Sequence, residues 1–130
     1  MRMAIQSIGI SGGFGQGVAA LKQALQSGRV EPQTGVVDRN GAVVTFPCYQ
    51  AETDGLDAYI PKRALRRIDH YSKLALYSAS LALAEAGLLD ADRSRMGVVI
   101  ATGYGALNTT FDFLDSYLDF GYSCSSPTHF

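Results

Sequence analysis

The stretch RRIDHYSKLALYSASLALAEAGLLDADRSRMGVVIATGYG, residues Arg66–Gly105, decides the fold. It reads as a basic patch, a long helix, a short connection, a buried strand and a glycine turn. Asp69 is the natural N-cap of a helix over His70 to Ala86. Leu74, Leu76, Tyr77, Leu81 and Leu83 alternate there with Ala75, Ala79, Ala82, Ala84 and Ala86. A helix apolar nearly all round is expected to be buried on most sides. Gly87 ends it. Met96–Thr102 is then a continuous apolar run, the pattern of a strand covered on both faces. Gly103-Tyr104-Gly105 turns the chain. This order puts a tight polar loop at the end of a strand, where α/β proteins hold ligands.

The flanks extend the same alternation. Met3 to Ile10 is short, apolar and bounded by glycines, and reads as a buried strand. Ser11–Gly17, SGGFGQG, is a turn rich in glycine. Val18, Leu21 and Leu25 have helical spacing, and Gly28 is the expected stop. Gly35-Val36-Val37 and Ala42-Val43-Val44-Thr45-Phe46 flank Asp38-Arg39-Asn40-Gly41, and Asn-Gly between apolar runs is a hairpin signal. From Pro47 to Ile60 the prolines and Thr53-Asp54-Gly55 interrupt any period, so a surface loop is expected. Thr109 to Phe120 is a second helix with a stripe of Phe113, Leu114, Tyr117 and Leu118. Gly121 to Phe130 reads as loop.

The chain has 130 residues, 47% hydrophobic and 18% charged, with a net charge of −1. That is enough for one domain with its own core. The charge balance favours neither nucleic acid nor an anionic membrane, so a charged partner must use a local patch. No stretch approaches the roughly 20 apolar residues of a membrane helix. Cys48 and Cys124 make neither a disulfide framework nor a zinc spacing, and a reducing, cytoplasmic setting is expected.

Three features are candidates for chemistry. The glycine run at Gly12–Gly17 misses the dinucleotide spacing, because Val18 stands where the third glycine belongs, and no acidic residue follows a second strand at the usual distance. A strand-to-helix turn is the simpler reading, with a small nucleotide-binding module as an alternative. Lys62, Arg63, Arg66 and Arg67 gather at the mouth of the long helix. Three and four residues apart, Arg63, Arg66 and Arg67 share one face if that stretch is helical. Cations beside a helix N-terminus oppose the dipole, a local conflict that argues against a pure helix-stability role and hints at function, with a solvated surface patch as the commoner alternative. Cys124, in Ser123-Cys124-Ser125-Ser126, has the small-residue setting of a nucleophile, but the sequence brings no base to it. His70 and His129 lack ligand-spaced partners, so no metal and no cofactor is assigned.

Four segments in order resemble the N-terminal portion of the β-ketoacyl-[acyl-carrier-protein] synthases, of the thiolase-like fold. Ile8-Gly9-Ile10-Ser11 through Phe14-Gly15-Gln16-Gly17 to Ala24–Arg29 is similar to the family's opening strand, turn and first helix. Arg66-Arg67-Ile68-Asp69 resembles its basic approach to a long alanine-rich helix ending in Ala-Gly-Leu, here Ala86-Gly87-Leu88. Met96 to Leu107 resembles the strand running into a glycine-rich loop. Ser126-Pro127 resembles the Ser-Pro before the pocket-lining segment.

The resemblance implies an α/β chain, the N-terminal part of a layered αβαβα fold, with residues 1–130 as a single partial domain. The implied chemistry is a decarboxylative Claisen condensation in fatty acid or polyketide synthesis. An active-site cysteine takes an acyl group from a carrier protein, and two histidines promote loss of CO₂ from a malonyl thioester. Cys124 precedes Ser126-Pro127 and does not align with that nucleophile, so no catalytic residue is assigned and the chain alone is expected to be inactive. Arg63, Arg66 and Arg67 match the family's patch for the acidic acyl carrier protein. Tyr104 aligns with the loop residue that gates the acyl pocket, and His129 with a residue lining it from across a dimer interface. Both depart from the family's usual side chains. A homodimer or a complementary subunit is the implied assembly. A non-catalytic partner subunit of the chain-length type is the alternative.

Overall fold

A computed structural model describes residues 3–39 and 41–121. Their order is β1 (Ser11–Gly12), β2 (Gly15–Gln16), α1 (Gly17–Ser27), β3 (Gln33–Arg39), β4 (Ala42–Cys48), a 3₁₀ turn (Leu56–Ala58), α2 (Lys62–Leu65), α3 (His70–Glu85) and α4 (Leu107–Phe120). The class is mixed α/β. The sheets described are two antiparallel pairs, β1 with β2 and β3 with β4.

Local chemistry explains the elements that form. Asp69 caps α3 by accepting from the Ser72 N–H at 3.0 Å and the Ser72 hydroxyl at 2.6 Å. At the other end Gly87 adopts φ 68°. The Leu88 N–H reaches the Leu83 carbonyl and the Gly87 N–H the Ala84 carbonyl, a paired closure that satisfies carbonyls the helix leaves open. α1 ends at Gly28 in the left-handed region, its N–H on the Ala24 carbonyl. The hairpin runs in unbroken register from Gln33↔Cys48 to Arg39↔Ala42, and the Gly41 N–H closes its turn on Asp38 Oδ1 at 3.1 Å.

α3 is the centre around which the rest is arranged. Gly9 lies flat against it: a Cβ there would stand 1.8 Å from the Ser78 carbonyl oxygen. Ser7 adds a hydrogen bond from its hydroxyl to the Ala82 carbonyl at 2.8 Å. The small side chains of α3 thus serve close backbone approach. Leu56 of the 3₁₀ turn and Tyr77 and Ser80 of α3 itself are the buried side chains among the described residues.

The structure corrects several expectations. Met3–Ile10 forms no strand, and Met3 and Ile5 are exposed; this segment is held by α3 and by the Gly17 N–H on the Ile10 carbonyl rather than by a sheet. Met96–Thr102 forms no strand either, and Val98 and Val99 are 82% and 97% exposed. A strand needs a neighbour to take up its N–H and C=O groups, and no described strand lies beside this one. For the same reason α3 is mostly half-buried instead of enclosed. The 47–60 loop is partly ordered, since β4 reaches Cys48 and the 3₁₀ turn holds Leu56. α4 begins two residues earlier than its pattern indicated.

The surface reflects this. The chain exposes 10657 Å², whereas a folded monomer of 13.9 kDa exposes about 6,700 Å² by the area–mass relation.

Candidate functional site

The basic residues are where the sequence put them. Pro61 opens α2 and supplies a fixed φ for the turn. Arg63 lies in α2, Arg66 follows at its end in helical conformation, and Arg67 sits in the turn before Asp69. All three are exposed, and no ion pair engages them among the described residues. The shared helical face is only partly realised, because α2 stops at Leu65. Lys62, by contrast, pairs with Asp57 at 3.1 Å.

Behind this turn lies an open cavity of about 440 Å³ lined by Thr53, Asp54, Leu56, Asp57, Lys62 and Lys73 among others. Its walls carry both signs of charge. Beside it a cluster of hydrogen bonds ties three parts of the chain together. The Tyr77 hydroxyl donates to Gln16 Oε1 at 2.6 Å, with the Asp54 carbonyl 2.9 Å away on the same proton. The Gln16 amide donates to the Glu52 and Asp54 carbonyls at 3.3 and 3.4 Å. Gln16 is the N-cap residue of α1 yet makes no cap bond; its side chain is committed to Tyr77.

Gly55 permits this closure. Its φ is 92°, and a Cβ there would stand 2.8 Å from the Tyr77 hydroxyl. The Tyr59 ring tilts against Tyr77 with centroids 6.2 Å apart. Burial raises the Tyr77 pKa above the ordinary tyrosine value, and Tyr59, Asp54 and Asp57 add to the rise. The Ser72 hydroxyl, first among several hydrogen bonds, holds the Asp69 carboxyl below the usual range. The α2–α3 junction that carries the arginines is thereby fixed at both sides.

Tyr104 stands apart from this assembly. It is 85% exposed, in the bend before α4. Gly105, at φ 64°, donates its N–H to the Thr102 hydroxyl at 2.9 Å and shapes that bend. No hydrogen bond or ion pair joins Tyr104 to the arginines. His129, Cys124 and Ser126-Pro127 lie outside the described residues. The glycine run folds as the tight β1–β2 hairpin, with Gly13 against Tyr49. Among the described residues no group of three or more His, Cys, Asp or Glu is placed to hold a metal, and no helix is long and apolar enough to cross a membrane.

Sequence reasoning missed the Gln16–Asp54–Tyr77 clamp. The available signal was Tyr77 itself, a large side chain with a polar tip inside an alanine–leucine helix. Such a hydroxyl, once buried, needs a partner.

These elements define a mixed α/β chain with an exposed basic turn leading into a capped, closely packed helix. No family model matches the chain. A curated protein, the chloroplastic 3-oxoacyl-[acyl-carrier-protein] synthase I of Hordeum vulgare, is 29% identical over 136 residues, covering 97% of this chain. The chain spans 29% of that protein's length. The likeness is a distant one, of β-ketoacyl synthase type.

Proposed function

We propose that this chain is the N-terminal part of a 3-oxoacyl-[acyl-carrier-protein] synthase-like condensing enzyme, with a thiolase-like layered fold when complete. The observation that carries the reading is the 29% identity maintained across 97% of the chain. The exposed apolar run Met96–Thr102 is consistent with it, since such a run becomes a strand of a layered fold only beside neighbouring strands. Arg63, Arg66 and Arg67 then meet the acidic acyl carrier protein, and Tyr104 together with His129 shapes the acyl pocket. No residue here serves as the condensing nucleophile, so the bond-making cysteine and its two histidines belong to another part of the enzyme. The assembly is a homodimer or a pair with a complementary subunit, and the chain-length-type partner subunit is the second reading, favoured by the same uncovered surface.

Binding of fluorescently labelled acyl carrier protein, followed by anisotropy at low and high salt, tests the reading. Binding is expected to weaken on raising the salt and on joint substitution Arg63→Glu, Arg66→Glu and Arg67→Glu. Equal binding by the triple variant would reduce the patch to a solvated surface. Condensation of acyl and malonyl thioesters by this chain alone, abolished by Cys124→Ala, would overturn the assignment of the nucleophile elsewhere.

A further inference from the structure

The basic turn holds one of its cations apart from the others. Arg63, Arg66 and Arg67 have no ion pair among the described residues, whereas Lys62 meets Asp57 at 3.1 Å. Carboxylates stand close by in the chain at Asp54, Asp57 and Asp69. That of Asp69 is taken by the Ser72 N–H and hydroxyl as the cap of α3. That of Asp54 makes no ion pair among the described residues. Asp57 is therefore the carboxylate that meets the basic cluster. The two partners of this pair are held to different degrees. Asp57 lies in the 3₁₀ turn, where Gly55 takes φ 92° and Leu56 is 2% exposed. The Ala58 N–H on the Gly55 carbonyl and the Tyr59 N–H on the Leu56 carbonyl close that turn at 3.1 and 3.0 Å. The Lys62 side chain, by contrast, is 83% exposed. A lysine ammonium is a point charge on a flexible stem, and an ion pair this exposed contributes little stability. The carboxylate is thus a fixed post that the ammonium can leave readily.

We propose that Asp57 is an internal competitor for the acidic partner of the basic turn, holding Lys62 until a carboxylate of the carrier protein takes that ammonium over. The proposal rests on the carrier-protein reading above and adds a regulation of the same surface. Exchanging one carboxylate for another keeps the ammonium paired, so a partner gains less from Lys62 than from an arginine without an ion pair. Asp57 also places a negative charge beside the approach of an acidic surface, which like charge disfavours. Both effects have the same sign. Asp57 lowers the affinity of the turn for acidic surfaces in general and sets a threshold that a partner passes only by offering a carboxylate in place of its own.

Anisotropy titrations of labelled acyl carrier protein at low salt test it on the wild type, Asp57→Asn, Lys62→Gln and the double variant. Asp57→Asn is expected to tighten binding about two- to fivefold, the range that an exposed ion pair supports. The gain should shrink at high salt. It should also be much smaller when Lys62→Gln is already present, since no ammonium is left to release. Asp54→Asn removes the same charge from the wall of the same cavity and leaves the pair intact. It is expected to change binding less than Asp57→Asn does. Circular dichroism checks the fold of each variant, and Asp57→Ser repeats the test with a second neutral side chain. An affinity unchanged or weakened in both Asp57 variants, an equal gain in the Lys62→Gln background, or an equal gain in Asp54→Asn would overturn the proposal and leave carrier binding through the arginines standing. Absence of carrier binding by every form, the wild type included, would instead remove the carrier reading and this proposal with it.

Discussion

α3 and α4 are both apolar helices, and the chain treats them differently. α3 is capped by Asp69, closed by Gly87, approached by Gly9 and anchored through Tyr77. α4 has no side-chain cap at Ala106, and Phe111, Leu114, Tyr117, Leu118 and Phe120 on it are exposed. Its amphipathic pattern is the stronger of the two on paper. An apolar stripe contributes stability only when something covers it, so the contrast lies in partners rather than in helix propensity. α3 holds the described fold together, and α4 leaves its apolar stripe exposed among the described residues.

The largest expected effect breaks the anchored side. Tyr77→Ala removes a buried ring together with the donor for Gln16 and Asp54, and should cost about 3–5 kcal/mol in urea unfolding. Tyr77→Phe keeps the ring but leaves Gln16 Oε1 without its donor, for about 1–3 kcal/mol. The hydroxyl pKa is raised in the fold, so its contribution is fully present below the unfolded value near 10 and is lost as pH rises through the folded value. Alkaline destabilisation should therefore be smaller in Tyr77→Phe than in the wild type, and equal alkaline profiles would remove the clamp from the account.

Gly9→Ala comes next. Its Cβ would meet the Ser78 carbonyl at 1.8 Å, a backbone atom that cannot swing aside. Overpacking of this kind costs about 1–3 kcal/mol, and a shift of the urea midpoint measures it. No shift would mean that the 7–10 segment is not held on α3. Asp69→Ala follows at about 1 kcal/mol for the lost cap. Its carboxyl pKa is lowered in the fold, so the contribution is present above the unfolded value near 3.9 and is lost as pH falls through the folded one. The gap between variant and wild type should accordingly close in acid, and a gap that persists at pH 2 would mean the loss is not electrostatic.

What the sequence revealed divides along the same line. Elements that carry their own instructions were legible. Asp69 and Gly87 marked both ends of α3, Gly28 the end of α1, and Asn40-Gly41 the hairpin, because caps and turns are settled by residues close in the chain. Met3–Ile10 and Met96–Thr102 were misread as strands, since a strand is fixed by a neighbour that periodicity does not identify. The arginines at 63, 66 and 67 were legible as an exposed group. Their scaffold was not, because Gln16, Asp54 and Tyr77 are brought together across 61 residues of chain and no local pattern encodes such a meeting. Tyr104 was legible as a turn residue, and it stands exposed in the bend before α4.

The smallest effect sharpens the contrast most. Leu118 is 76% exposed on α4, so Leu118→Ala should change the stability of this chain by no more than about 0.5 kcal/mol, as at other open surface sites. The same substitution in a buried apolar stripe would cost about 2–5 kcal/mol. Chemical unfolding of Leu118→Ala beside the wild type, alone and then with a companion polypeptide that binds the chain, distinguishes the two situations. A near-zero change alone that grows in the complex means α4 is an interface helix awaiting its cover. A large change in the isolated chain would mean that α4 is already packed, and the distinction drawn between the two helices would fall.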